Sequence, residues 1–191
     1  RRREDGEYEI LVEEAHRSVE KRQGGPDSTP WLPYLIRFLT HSGLRLGETS
    51  RIESDENQIA KRLVFLHRTK NENDRKVPLP QGAYDALMDF KDHWGAETVF
   101  GLNEKTLSNT FYRFKKRLLK EGKIKKNLTL HDLRHEGLSR LFEIKNSKGE
   151  AAIPLAHIIN ISGHKDVQTL METYVKIYPS DTVESLEAVG A

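Results

Sequence analysis

The spacing of the apolar residues narrows the fold more than any other feature of this chain. Leu32, Leu35, Ile36 and Leu39 recur at intervals of three and four within residues 31–41, and Gly43 follows as a stop. That is the pattern of a helix with one buried stripe. Tyr8, Leu11, Val12 and Ala15 repeat it within 7–22. The same reading predicts helices near Leu46 to Ile52, over 81–94, 104–121, 130–143, 151–161 and 166–177, with a loop at 24–30. Strand signals occur once. Leu63-Val64-Phe65-Leu66 reads as a short buried strand, Val77 and Leu79 mark a returning one, and Lys70-Asn71-Glu72-Asn73-Asp74-Arg75 forms the turn between them. The fold class is therefore α+β, mostly α-helical with a small antiparallel sheet. No internal boundary is evident, so residues 1–191 read as a single domain.

Composition excludes several classes. A hydrophobic fraction of 36% beside a charged fraction of 31% describes a globular chain rather than a disordered one. No apolar run approaches the roughly 20 residues of a membrane helix. Cysteine is absent, which excludes disulfides and thiolate metal sites. The formal net charge is only +2, but the basic residues are clustered. Arg113, Lys115, Lys116, Arg117, Lys120, Lys123, Lys125 and Lys126 fall in one stretch with a single acid, Glu121. Lys61, Arg62, Arg68, Lys70, Arg75 and Lys76 form a second. Such clusters can line a phosphate backbone, and a solvated helix face accounts for them equally well.

Chemistry is suggested at four places. Thr129-Leu130-His131-Asp132 has the form of a capping box, which puts His131 in the first turn of a helix and Arg134 one turn later on the same face. A helix N-terminus presenting a His and an Arg is a natural phosphate site; a capped surface helix is the plainer alternative. His131 and His135 are four apart, as metal-binding pairs are, but the zinc protease pattern needs a Glu after the first His. Arg134 between them would repel a cation, so no metal site is predicted and His135 is assigned to the core side. Arg45, in Ser42-Gly43-Leu44-Arg45-Leu46-Gly47-Glu48, either projects into a cleft with Glu48 holding its guanidinium fork or lies exposed. Gly163-His164 opens a turn before the helix that carries Tyr174, and a tyrosine there ordinarily belongs to the core or its rim.

Taken together, these residues resemble the tyrosine recombinase (phage integrase) family. Gly-Leu-Arg-x-x-Glu at 43–48, Thr69-Lys70-Asn71 before the returning strand, His131-x-x-Arg134-His135, Gly163-His164, and Tyr174 ten residues beyond that His occur in the family's order. The resemblance covers about 30 to 178. Ser162 stands where relatives usually carry Leu, Glu136 replaces a common Thr, and the Trp-acid pattern often found after Glu48 is missing. The family also has a separate N-terminal DNA-binding domain, which nothing here resembles; the expectation is a catalytic domain forming the C-terminal part of a longer protein.

The resemblance implies a site-specific DNA recombinase or integrase of a phage or other mobile element. Its alternatives are a type IB-like topoisomerase or resolvase, and a DNA-binding protein that has lost catalysis. A metal-dependent nuclease is disfavoured by the lack of acidic ligands near the histidines. The implied reaction is attack of Tyr174 on a phosphodiester, giving a 3′-phosphotyrosine and a free 5′-hydroxyl. Arg45 and Arg134 would supply bidentate donors to the transition state, with His164 as a third donor. His131 would take the phenolic proton, needed because tyrosine titrates near 10, and Lys70 would protonate the leaving 5′-oxygen. Arg113, Lys115, Lys116, Arg117 and Lys120 would contact the DNA backbone. No cofactor is implied. Double-stranded DNA is the partner, with self-assembly of the full-length protein into a tetramer on it, in a bacterial cytoplasm at the nucleoid. The tail from Ser180 carries Val183, Leu186 and Val189 as a narrow stripe, read as a short helix that docks on a neighbouring subunit in the DNA-bound assembly, with docking back on its own core as the plainer alternative. Two arginines facing one phosphate take the part of a cation. Covalent adduct formation on nicked duplex should thus be unchanged in EDTA; loss in EDTA with recovery in Mg²⁺ or Zn²⁺ would refute the metal-free reading.

Overall fold

The apolar stripe of α2 (Leu32–Ser42) becomes the centre of the molecule. Leu32, Leu35, Ile36, Phe38 and Leu39 are all essentially inaccessible in the computed structural model, which describes residues 6–20, 30–67, 74–149, 151–164, 168 and 170. Burying each such side chain contributes about 1.5–3 kcal/mol. Pro33 sits in the first turn, where its missing N–H costs nothing, and Gly43 ends the helix at φ 67, a left-handed conformation that glycine adopts without strain. The buried Thr40 hydroxyl is satisfied by donating to Ile36 O at 2.8 Å.

Helices α1 (Glu7–Glu20), α5 (Gln81–Met88) and α7 (Leu130–Glu143) pack around α2. Two glycines set how closely they approach. A Cβ on Gly137 of α7 would lie 2.6 Å from Leu39 O and 2.8 Å from Gly43 N, and one on Gly82 of α5 would lie 2.5 Å from His41 Nδ1. The other helices are α3 (Leu46–Thr49), α4 (Glu56–Ala60), α6 (Glu104–Lys120) and α8 (Leu155–Ser162). Strands β1 (Leu63–Leu66) and β2 (Arg75–Pro78) pair antiparallel, with Val64 opposite Val77 and Leu66 opposite Arg75. Val64, Leu66 and Val77 face the core. Phe65 and Lys76 share the other face, the ammonium 4.7 Å from the ring centroid. The architecture is the mostly helical α+β fold with a small antiparallel sheet. Among the described residues no helix is long and apolar enough to cross a membrane.

Several element boundaries differ from the predicted ones. β1 is not buried on both faces; it alternates. The helix predicted over 81–94 ends at Met88 and gives way to a 3-10 turn, Lys91–His93, because Phe90 turns inward to stack on Tyr34, Phe100 and His93. The helix predicted from 151 starts at Leu155, since Pro154 lacks an N–H and disfavours helical geometry at Ile153. α4 went unpredicted; Asp55 caps it by accepting from the N–H groups of Asn57 and Gln58. Of the helix predicted over 166–177, Gln168 and Leu170 are helical and Leu170 is fully buried. Lys70, Tyr174 and the tail helix lie outside the described residues.

The basic stretch 113–126 divides between two tasks. Arg113, Lys116 and Lys120 are exposed on α6. Arg117, by contrast, donates to Ser18 Oγ of α1 at 2.6 Å and pairs with Glu121. Lys123 pairs with Glu14 at 2.7 Å and with Glu121 at 3.1 Å. Glu7 accepts from two successive amides, Lys125 N at 2.8 Å and Lys126 N at 3.0 Å. The acidic face of α1 thus clamps the connection that leads into α7. In the second basic stretch Arg62 is likewise engaged, donating to Leu79 O through Nε and Nη2.

The Gly137 contact generates a direct test. Glycine to alanine inside a helix ordinarily stabilises by up to ~1 kcal/mol. Here the added methyl meets backbone that cannot move aside, so Gly137→Ala should instead destabilise by about 1–3 kcal/mol. Urea denaturation of the two proteins measures the difference; an unchanged or raised midpoint would show that α7 and α2 are not so closely apposed.

Candidate active site

Four elements bring the predicted residues together. Arg45 lies between Gly43 and α3 in extended conformation, φ −73 and ψ 149, with Leu44 buried behind it. Its backbone N–H donates to Glu48 Oε2 at 2.9 Å, while its Nη1 donates to Glu48 Oε1 at 3.2 Å. Its Nη2 donates to the carbonyl of Gly163 at 2.8 Å. Arg134 projects from α7, almost wholly buried, and its Nη2 donates to the carbonyl of Ser162 at 2.9 Å. Both guanidiniums are therefore anchored on adjacent carbonyls at the C-terminal end of α8, where the helix leaves acceptors unsatisfied and carries partial negative charge.

α7 is started by a reciprocal cap. Thr129 Oγ1 accepts from Asp132 N at 3.1 Å, and Asp132 Oδ2 accepts from Thr129 N at 2.8 Å. That fixes the first turn and leaves His131 exposed, its ring edge-on to the half-buried His135 with centroids 4.5 Å apart. His164 follows Gly163, which terminates α8 at φ 62. A Cβ on Gly163 would overlap Arg75 Nη2 and come within 2.8 Å of Arg45 Nη1, so a side chain there would push both guanidiniums aside and strain the left-handed backbone. Ser162 is buried, its hydroxyl donating to Ile159 O at 3.2 Å, so the polar residue at this position is accommodated. Glu136 pairs with Arg140 one turn along α7 at 3.0 Å.

Arg45, Arg134, His131 and His164 open onto one cleft of about 850 Å³. Its far wall is α6, which contributes Glu104, Ser108, Phe111, Tyr112 and Lys115. Lys115 is buried against this wall rather than splayed outward, with its ammonium 5.4 Å from the Tyr112 ring centroid. Tyr112 is 54% exposed, the more open of two exposed large hydrophobic side chains among the described residues, the other being Ile144. Sequence reasoning missed Arg51 and Glu104 in the lining and Arg75 beside it. Arg75 was legible in the strand alternation: it shares the face of buried Val77, not that of exposed Lys76. Among the described residues, no cluster of three or more His, Asp or Glu suits a metal ion.

Burial pushes the His164 imidazole down to about 4, and the nearby Arg134 and Arg45 guanidiniums act in the same direction. The ring is therefore neutral at neutral pH. Its Nδ1 is enclosed with no hydrogen-bond partner among the described residues. Since the unfolded ring titrates near 6.5, the unfolded chain binds a proton that the folded one refuses as pH falls from 6.5 toward 4, and stability falls over that window.

The sequence profile described as the phage integrase family matches residues 7–180. A Haemophilus influenzae protein named as an integrase/recombinase is 33% identical over 153 residues, covering 80% of this chain and 45% of that protein. The chain thus spans less than half the length of this relative. Among solved structures, XerA recombinase superposes with a TM-score of 0.63 at 17% identity, covering 96% of this chain and 61% of that one. A lambda integrase tetramer bound to a Holliday junction gives 0.58 at 20% identity, covering 87% and 47%.

The electrostatics of His164 can be read directly by proton NMR of the histidine rings, with His164→Asn assigning the signal. A midpoint near 4 is expected in the free protein, rising when inorganic phosphate is added, because an anion in the cleft offsets the two guanidiniums. A midpoint between 6 and 7 would mean that the ring is neither buried nor close to both arginines.

Proposed function

The chain belongs to the phage integrase family, and from that we propose that it cleaves and rejoins DNA strands as a tyrosine-type site-specific recombinase through a 3′-phosphotyrosine. One observation carries the reading. Arg45 and Arg134 are fixed side by side on the carbonyls of Gly163 and Ser162, facing a cleft that also presents His131 and His164. A guanidinium has five N–H donors, so anchoring on a carbonyl is compatible with a two-point contact to a phosphate.

In this reading the scissile phosphate sits between the two arginines. Tyr174 attacks phosphorus and its proton passes to His131. The bond to the 5′-oxygen breaks as that oxygen takes a proton from Lys70. Negative charge on the non-bridging oxygens is met by donors already in place. Neutral His164 adds one N–H to an oxygen of the same phosphate. Attack of a 5′-hydroxyl on the phosphotyrosine then reverses the steps and restores the phenol. Arg113, Lys116 and Lys120, exposed on the helix whose Lys115 lines the cleft, would hold the duplex backbone, with Lys115 closer to the reacting phosphate.

The name of the Haemophilus relative supports recombination over simple relaxation of DNA, and the lambda integrase tetramer on a Holliday junction supports assembly of several copies on DNA. Coverage of under half of that relative supports a catalytic part within a larger recombinase. Tyr174→Phe removes a single hydroxyl. It should abolish the covalent adduct on nicked duplex while leaving duplex affinity within about twofold, or ~0.4 kcal/mol. Adduct surviving in this variant would move the nucleophile to another residue, Tyr178 first.

A further inference from the structure

Arg75 reaches the arginine cluster from the start of β2, where it pairs with Leu66 at the end of β1. Its Nη2 donates to Glu48 Oε1 at 2.6 Å, the same oxygen that receives Arg45 Nη1 at 3.2 Å. The Glu48 side chain is 4% exposed and that of Arg75 is 14% exposed. Arg75 and Arg45 both close over Gly163, where a Cβ would strike each of them. β2 is also tied to α8 by Asn160 Nδ2, which donates to Lys76 O at 3.3 Å.

The charge balance of this cluster is informative. A buried carboxylate facing one guanidinium cancels it, and a cancelled Arg45 has little field to offer a phosphate. With Arg75 on the same carboxylate, the trio of Arg45, Arg75 and Glu48 carries one net positive charge. Both guanidiniums share Glu48 Oε1, while Oε2 accepts from the Arg45 backbone N–H, so the carboxylate holds Arg45 at two points.

We propose that Arg75 is a positioning residue for Arg45: it shares the Glu48 carboxylate, offsets its charge, and so keeps the Arg45 guanidinium aimed and electropositive toward the phosphate. This rests on the recombinase reading. Arg75 then acts through Glu48 and Arg45, not as the DNA-backbone contact that its place in a basic stretch suggests. Its enclosed side chain and inward-facing strand position set it apart from exposed Lys76.

Single-turnover cleavage of nicked duplex and duplex affinity, measured on the whole chain, test this. Arg75→Ala should slow cleavage ~30-fold, less than the roughly 10²–10³-fold cost of removing an oxyanion donor itself, because Arg45 stays in place and only its aim and field are weakened. Duplex affinity should stay within about threefold. Arg75→Lys, which keeps the charge and holds the fold if alanine does not, should recover most of the rate. The decisive variant is Glu48→Gln placed on Arg75→Ala. Removing the now uncompensated carboxylate charge should raise the rate above that of Arg75→Ala alone, whereas a purely structural role would make the double variant worse. Three results would overturn the proposal: cleavage by Arg75→Ala within threefold of the parent, an affinity loss equal to the rate loss, or no gain on adding Glu48→Gln. If the parent protein forms no adduct, the recombinase reading fails by itself. Inorganic phosphate titrated against the Arg45 side-chain Nε–H resonance then reads the same coupling without chemistry: weaker binding in Arg75→Ala, regained with Glu48→Gln, upholds the inference, and equal binding in all three refutes it.

Discussion

The close approach of α7 to α2 at Gly137 is the contact on which the site depends. α7 carries His131 and Arg134, while the turn after α2 carries Arg45, so the separation of these two helices sets the separation of the two guanidiniums. Gly137 lies against Leu39 O and Gly43 N, and Gly43 ends α2. The glycine that lets the helices touch therefore meets the glycine that redirects the chain toward Arg45. Packing and site geometry are decided at the same point.

Around that contact the protein gathers positive charge at some cost. Arg45, Arg134 and Arg75 converge where desolvation strengthens mutual repulsion. Three acceptors make this tolerable: the Glu48 carboxylate and the carbonyls of Ser162 and Gly163. Burial is the main cause of the depressed His164 pKa, and the Arg134 and Arg45 guanidiniums add to it, so the ring reports the enclosure of the site together with its positive field. In the proposed reaction a phosphate entering the cleft would meet donors oriented before it arrives, which would leave little reorganisation for the transition state.

Much of this was legible in the sequence. Helical spacing located α1, α2, α6 and α7, and the Thr129–Asp132 cap marked where α7 begins. The family motifs identified Arg45, His131, Arg134 and His164, which the structure gathers at one cleft. What escaped was decided by tertiary contacts. α4 has five residues, too few for a period to show. Phe90 leaves its helix because a cluster of rings elsewhere in the chain receives it. The basic stretches looked uniform, yet Arg117, Lys123, Arg62 and Arg75 are each committed to partners far away in sequence. Charge counts cannot distinguish a residue that faces solvent from one that faces a distant acid; strand alternation could have done so for Arg75.

α1 is attached to the rest of the fold by two unlike means. Leu11 and Ala15 bury an apolar stripe, and Glu7 and Glu14 grip the chain leading to α7. The hydrogen bond from Lys123 holds the Glu14 carboxyl below its ordinary 4.5. The Glu14 part of that grip is complete above 4.5 and is lost as acidity protonates its carboxylate, while the apolar stripe is indifferent to pH. Acid therefore loosens one edge of α1 before the other. The same helix that braces the entrance to α7 in neutral solution therefore keeps, in acid, its seat on α2 and loses its hold on Lys123.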